Sequence, residues 1–220
     1  MRTQAVVFDL DGTLLDSLAD IANAGNAVLQ AHGFPTHSRD AYRWFVGDGV
    51  GRLLHRIVPT EHQQDKGLLD TLLREYAAQY HQSWNVESRL YDGITELLDE
   101  LVTRQIQLTV LSNKPQSFTE KCVDFYLPQY TFAAVLGQSA ARPPKPDPTG
   151  VREIMNALQV PPAACYYLGD TGVDMQTARQ ADLLAIGATW GFRDIEELEQ
   201  AGAQHLIHHP SELLPLLVDH

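Results

Sequence analysis

Short apolar runs punctuate the chain at Ala5 to Phe8, Leu108 to Leu111, Ala133 to Leu136, Tyr166 to Leu168 and Leu184 to Ala188, most of them ending at Gly, Asp or Ser. Runs of that length with no polar face read as strands buried on both sides. Between most of them lie helical patterns. Ile94, Leu97, Leu98 and Leu101 recur at helical spacing, as do Val151, Ile154, Met155 and Leu158, with Pro148 suited to a first helical turn. Strand alternating with helix predicts an α/β fold, a doubly wound parallel sheet covered on both faces. Leu206 and Ile207 add a final edge strand, followed by a helix starting near Ser211.

The stretch from Leu18 to about Trp84 breaks this alternation, with helical periodicity throughout and no convincing strand. It reads as an inserted helical domain, residues 18–85, splitting a core domain made of 1–17 and 86–220. Asp16 and Ser17 can cap its first helix, which Gly33 would end. Ser38 can cap a second, and Thr60 with Gln63 makes a capping-box pattern before the long segment to Trp84. Chain connections are expected at Leu14 to Ser17 and Asn85 to Asp92.

Composition narrows the function classes more than the fold. In 220 residues there are 16 Lys plus Arg against 28 Asp plus Glu, a net charge of −12. That balance opposes a general role on nucleic acid, where basic residues must neutralise phosphates. Cys122 and Cys165 are the only cysteines and form no Cys-x-x-Cys pair or zinc spacing, so a reducing cytoplasmic setting is expected. The first apolar run meets Asp9 after four residues, too short for a signal peptide or a membrane span. His208-His209 reads as surface, Trp44, Trp84 and Trp190 as packing residues, and Cys165 as an inert thiol at a buried strand start.

Four segments carry candidate chemistry, and each follows a predicted strand. Asp9-Leu10-Asp11-Gly12-Thr13 delivers two carboxylates to the edge where open parallel sheets bind ligands. Carboxylates buried that close repel unless a cation or a shared proton relieves them. Ser112-Asn113-Lys114 offers a hydroxyl and an amide to an anionic oxygen, near the helix that Pro115 opens. Lys145 is framed by prolines in Arg142-Pro143-Pro144-Lys145-Pro146-Asp147-Pro148, which stiffen the segment that carries it. Gly169-Asp170-Thr171-Gly172-Val173-Asp174 supplies a second acidic pair and lacks the terminal glutamate of a calcium loop. Singly these also read as turns, a helix cap and a solvated lysine. Gathered at one sheet edge, they predict a phosphate-handling Mg²⁺ site.

With Asp9-x-Asp11-Gly12-Thr13, Ser112, Lys145 and Gly169-Asp170-x-x-x-Asp174 in this order, the chain resembles the haloacid dehalogenase superfamily of phosphohydrolases from end to end. Val46-Gly47-Asp48-Gly49, Tyr91-Asp92-Gly93-Ile94 and Trp190-Gly191-Phe192-Arg193 extend the likeness to the phosphoglycolate phosphatase branch. The resemblance implies a Rossmann-like core with a mobile all-α cap of the C1 type. It implies that Asp9 is the nucleophile and Asp11 the acid and base, the latter in surroundings that favour its protonated form. Asp9, Asp170 and the main-chain carbonyl of Asp11 would hold Mg²⁺, with Asp174 a ligand through water or an orienting group. Thr13, Ser112, Asn113 and Lys145 would bind the phosphoryl group.

By the same likeness, the partner is a small phosphorylated metabolite, 2-phosphoglycolate first, and the protein a monomer or homodimer. Specificity would come from the cap, where a glycine-rich turn offers the Gly49 backbone and Arg52 to a carboxylate. Arg39, Arg43 and Arg56 compete with Arg52 for that role. Arg52 also stands where a dinucleotide fingerprint needs its third glycine. A β-phosphoglucomutase-like transferase or a pyrophosphatase would keep the same core residues. A phospho-aspartate receiver would be shorter and uninterrupted. Asp11 argues against dehalogenase chemistry, and Lys66, deep in a predicted helix as the only cap lysine, argues against a Schiff-base phosphonate hydrolase.

Overall fold

Ala5–Phe8 forms β1, buried at every residue because strands lie on both of its sides. The computed structural model describes residues 2–217. After β1 the chain makes a two-residue strand, β2 (Leu15–Asp16), and enters α1 (Leu18–Ala31), α2 (Arg39–Phe45), α3 (Val50–Ile57) and α4 (Lys66–Ser83). It returns through β3 (Arg89–Leu90), which pairs with β2 in a sheet of its own. Asp16–Arg89 forms one compact unit, and the remaining described residues form another.

In the helical unit, Ser38 accepts a hydrogen bond from Ala41 N and caps α2. Two expected caps are corrected. Ser17 stands at the N-cap of α1 without a side-chain cap bond. The Thr60 pattern yields only a single 3₁₀ turn, and α4 is capped instead by Asp65, whose Oδ1 accepts from Leu68 N at 3.0 Å. Lys66 is therefore the first residue of α4, not deep within it. At the end of α1, Gly33 takes φ +70°, a turn that an L side chain resists. Gly25 of α1 faces the ring of Tyr42, where a Cβ would come within 2.5 Å of the Tyr42 hydroxyl, so the glycine admits the ring. Trp44, read as packing, is half exposed at 52%, whereas Trp84 is buried.

The α/β unit continues with α5 (Ile94–Thr103), β4 (Gln107–Pro115), α6 (Gln116–Tyr126), β5 (Phe132–Gln138), α7 (Thr149–Leu158) and β6 (Cys165–Gly169). It closes with α8 (Gly172–Gln180), β7 (Leu184–Ala188), α9 (Ile195–Ala201) and β8 (His205–Ile207). Six parallel strands lie in the order β5-β4-β1-β6-β7-β8, with Val6 beside Leu108 on one side and Tyr166 on the other. From β1 the chain winds outward through β4 to β5, then crosses back to β6 and winds the other way. Right-handed crossovers therefore place α5 and α6 on one face and α7, α8 and α9 on the other. Ala5, Val7, Tyr167 and Ala185 share a core with Val151, Ile154, Met175 and Leu198 on that second face. Each large apolar side chain buried there contributes about 1.5–3 kcal/mol.

Two further expectations change. β4 runs on through Pro115, so Ser112, Asn113 and Lys114 belong to the strand, with the pairing register shifting between Leu111 and Pro115. The segment near Ser211 is a 3₁₀ helix, Pro210–Leu216, in which Pro215 has no N–H to give an α-helical ladder. The reversal of strand order beside β1 opens the carboxyl ends of β1, β4 and β6, the position where such sheets bind ligands.

Candidate active site

Asp9 follows the last residue of β1, and its N–H continues the ladder to Leu168 O at 2.9 Å. Asp170 follows β6, and Asp174 lies in the first turn of α8. All three carboxylates are buried, with one oxygen from each lying within 4.8 Å of the others. Lys145 Nζ joins them from the loop before α7, donating at 2.7 Å to Asp9 Oδ1 and at 2.7 Å to Asp174 Oδ1.

Each carboxylate is aimed by neighbours. Asp170 Oδ1 accepts from the Thr13 hydroxyl at 3.0 Å, and Oδ2 accepts from Phe192 N at 2.8 Å. Two glycines make this possible, because a Cβ at Gly12 or Gly191 would collide with Asp170. The Trp190 indole donates to Thr13 O at 3.0 Å, tying the Trp-Gly-Phe loop to the Gly12-Thr13 turn. Asp174 Oδ2 accepts from Thr171 N and Oγ1 in a reciprocal capping box, while Oδ1 accepts from Tyr167 Oη at 3.1 Å as well as from Lys145. Gly169 leaves room for Asp174, which a Cβ there would strike.

Burial, and then the charge of Asp174, push Asp9 up to about 7 against the pull of Lys145. Asp170 is driven well above the carboxylate range by burial and by the charges of Asp9 and Asp174. For Lys145, burial favours loss of the proton, but Asp174 and Asp9 outweigh it and hold the ammonium well above its usual value. Carboxylates that would otherwise drive one another to take up protons fit a hard divalent cation, which relieves both repulsion and desolvation.

The residues expected to bind a phosphoryl group also bond to neighbouring protein groups. Ser112 Oγ accepts from Lys114 N at 3.2 Å, and Lys145 sits among the carboxylates. Asn113 clamps the Lys145 backbone, accepting from Lys145 N at 2.8 Å and donating to Lys145 O at 3.2 Å. The Thr13 hydroxyl is likewise turned to Asp170. Asp11 stands apart from the three-carboxylate group, with both oxygens on Lys114 Nζ at 2.9 and 3.0 Å.

The haloacid dehalogenase-like hydrolase family matches this chain over residues 6–188. The chain belongs to the haloacid dehalogenase-like hydrolases. It is 31% identical over 215 residues to a phosphoglycolate phosphatase of Colwellia psychrerythraea, covering 96% of this chain and 95% of that one. A phosphoglycolate phosphatase of Vibrio parahaemolyticus is 30% identical over 216 residues, with the same coverage of 96% and 95%. Among solved structures, one from Lactobacillus delbrueckii subsp. bulgaricus superposes with a TM-score of 0.92 at 26% identity over 100% of both chains. A haloacid dehalogenase-like family hydrolase of Streptococcus pneumoniae gives 0.86 at 24% identity, covering 97% of this chain and 98% of that one.

In this hydrolase several site residues escape sequence reading. Lys114 closes the Ser112-Asn113-Lys114 segment without a role being legible for it, and Tyr167 carries no motif, although a phenol in an otherwise apolar buried strand signals a hidden hydrogen-bond partner. Phe192 contributes only its N–H, which leaves no side-chain signal. In the helical unit, Gly49 takes φ +86° at the N-cap of α3 and Arg52 is exposed on that helix. Arg56 is held by Asp48 and Phe45 O, and Arg39 pairs with Glu87. Of the histidine pair, His208 bonds Thr189 and His209 bonds Ser211, and neither joins a metal-ligand group among the described residues. No helix of the described residues is long and apolar enough to cross a membrane.

Proposed function

We propose that this hydrolase is a Mg²⁺-dependent phosphatase of small phosphate monoesters, with 2-phosphoglycolate as first candidate, working through an aspartyl-phosphate. The observation that carries the reading is the buried group of Asp9, Asp170, Asp174 and Lys145 at the sheet's switch point. The relatives named phosphoglycolate phosphatase support the choice of ester. The helical segment 18–85 is the cap in this reading, with Arg52 and the Gly49 backbone as its candidate selectivity groups. Two buried free cysteines fit a cytoplasmic location.

Asp9, fixed by Lys145, attacks phosphorus, and the bond from phosphorus to the ester oxygen breaks with its electrons going to that oxygen. Asp11, entering the step in its protonated form, turns from Lys114 and gives the leaving oxygen that proton. Water then attacks the aspartyl-phosphate, Asp11 takes the water's proton, and phosphate leaves with Asp9 restored. Lys145 neutralises one of the three clustered carboxylates and, with the Ser112 hydroxyl, binds the phosphoryl oxygens. Asp9, Asp170 and the Asp11 carbonyl, with Asp174 orienting, would hold a magnesium ion, which would supply positive charge against those oxygens.

Phosphate release is measured with and without Mg²⁺ across 2-phosphoglycolate, pyrophosphate, sugar phosphates and nucleotides, with Asp9→Asn as the blank. Mg²⁺-dependent release from 2-phosphoglycolate, abolished in Asp9→Asn, is expected. Activity retained by Asp9→Asn would remove the nucleophile. A preference for pyrophosphate, or interconversion of sugar phosphates, would redirect the assignment within the fold.

A further inference from the structure

The α/β unit carries two buried lysines at its active edge, and they divide it. Lys145 bonds Asp9 and Asp174 in the carboxylate group, whereas Lys114 bonds Asp11. The Lys114 main chain is fixed, its N–H donating to Ser112 Oγ at 3.2 Å and its carbonyl accepting from Thr119 Oγ1 at 3.1 Å. Its side chain is 5% exposed, so its ammonium has given up most of its water for the carboxylate of Asp11. A buried ammonium requires an anion at hydrogen-bond distance.

That requirement conflicts with the work assigned to Asp11. Both of its oxygens rest on Nζ, so at least one must turn away before Asp11 can reach a leaving oxygen. The turn opens a donor of Nζ on the leaving-group side, in a setting where an ammonium acts as a point charge for an anion. What meets it is whatever the leaving group places next to the ester oxygen. A carboxylate one carbon away offers the same chemistry that Asp11 gives up, and an alkyl group offers none.

We propose that Lys114 is a specificity-determining residue that takes the carboxylate of the substrate's leaving group in exchange for Asp11. The substrate class is then the phosphate monoesters of short hydroxy acids. The inference rests on the phosphatase reading above and adds a selectivity element outside the helical segment.

The test compares kcat/KM for 2-phosphoglycolate and for ethyl phosphate, in which a methyl group replaces the carboxylate, in wild type, Lys114→Met and Lys114→Arg. Wild type should favour the carboxylate ester by at least about tenfold, since a site built for a polar group rejects the analogue lacking it. Lys114→Met should slow both esters, because Asp11 loses its partner, while the ratio between them falls at least about tenfold through KM for 2-phosphoglycolate. Lys114→Arg should restore part of the ratio. An unchanged ratio in Lys114→Met would overturn the proposal and leave Lys114 as a holder of Asp11 only. A wild-type preference below about twofold overturns it as well, even where Lys114→Met does not fold. Absence of release from both esters in the wild type with Mg²⁺ is a different result: it overturns the hydroxy-acid ester class, and where pyrophosphate, sugar phosphates and nucleotides are also left intact it removes the phosphatase reading itself.

Discussion

Replacing Asn113 by alanine removes both bonds that hold the Lys145 backbone, the 2.8 Å bond from Lys145 N and the 3.2 Å bond to Lys145 O. The two main-chain groups are buried, so each loses a partner that water does not replace. At about 1–2 kcal/mol for each group left unmade, the loss sums to about 2–4 kcal/mol. In a chain of this size that lowers Tm by about 5–15 °C. Nζ also loses its fixed distance to Asp9 and Asp174, and a displacement near 1 Å lowers kcat by about a hundredfold. Asn113→Asp does not rescue, since it keeps the acceptor for Lys145 N but turns a carboxylate oxygen toward Lys145 O. Urea unfolding and phosphate release on the same preparations read both effects. Lost activity with stability within about 0.5 kcal/mol of wild type would refute the clamp and return Asn113 to direct contact with the phosphoryl group.

Asp9 is raised to about 7 from its ordinary 3.8 by burial and Asp174, so the native chain holds a proton that the unfolded chain releases between those values. Stability of the metal-free protein therefore falls as pH rises from about 4 to about 7, the direction set by the extra native proton. Calorimetry in chelator should show Tm falling from pH 5 to pH 8 and the Mg²⁺-induced gain growing over the same interval. A gain independent of pH would contradict the shift. Gly191→Ala drives a Cβ into Asp170 and to 2.5 Å from Gly12 O, so the loop must withdraw Phe192 N from Asp170. Mg²⁺ affinity, read by titration calorimetry, should weaken about 10–100-fold, and unchanged affinity would sink the role given to the loop. In the helical unit, buried Asp20 accepts from Val86 N, Glu87 N, Ser88 N and the Ser88 hydroxyl at 2.7–3.1 Å. Asp20→Asn turns an amide NH₂ toward those donors and should cost about 2–4 kcal/mol in urea unfolding. A cost below about 0.5 kcal/mol would deny the carboxylate that function.

Local pattern was enough for much of this hydrolase. Ala5–Phe8 and Leu184–Ala188 read as strands residue for residue, because a buried strand is an unbroken apolar run whatever its neighbours. The acidic pairs were legible for the same reason: Asp9 and Asp170 each stand directly after a strand. Boundaries set by competition between nearby groups were not. Asp65 rather than Thr60 caps α4, and β4 runs through Lys114 to Pro115, so the helix expected there starts one residue later.

The partners of the site residues belong to tertiary structure. Thr13 reaches Asp170 across 157 residues, Lys114 reaches Asp11 across 103, and Asn113 reaches Lys145 across 32. Residue type and spacing determined which side chains could carry charge, and which strand end each would occupy. Strand order then decided that β1 lies between β4 and β6, and register set Phe8 level with Val110 and Leu168. Only with three strand ends side by side does a hydroxyl or an amide choose between a phosphoryl oxygen and a neighbouring side chain. That choice is made by distance across the sheet, a quantity that no local stretch of sequence contains.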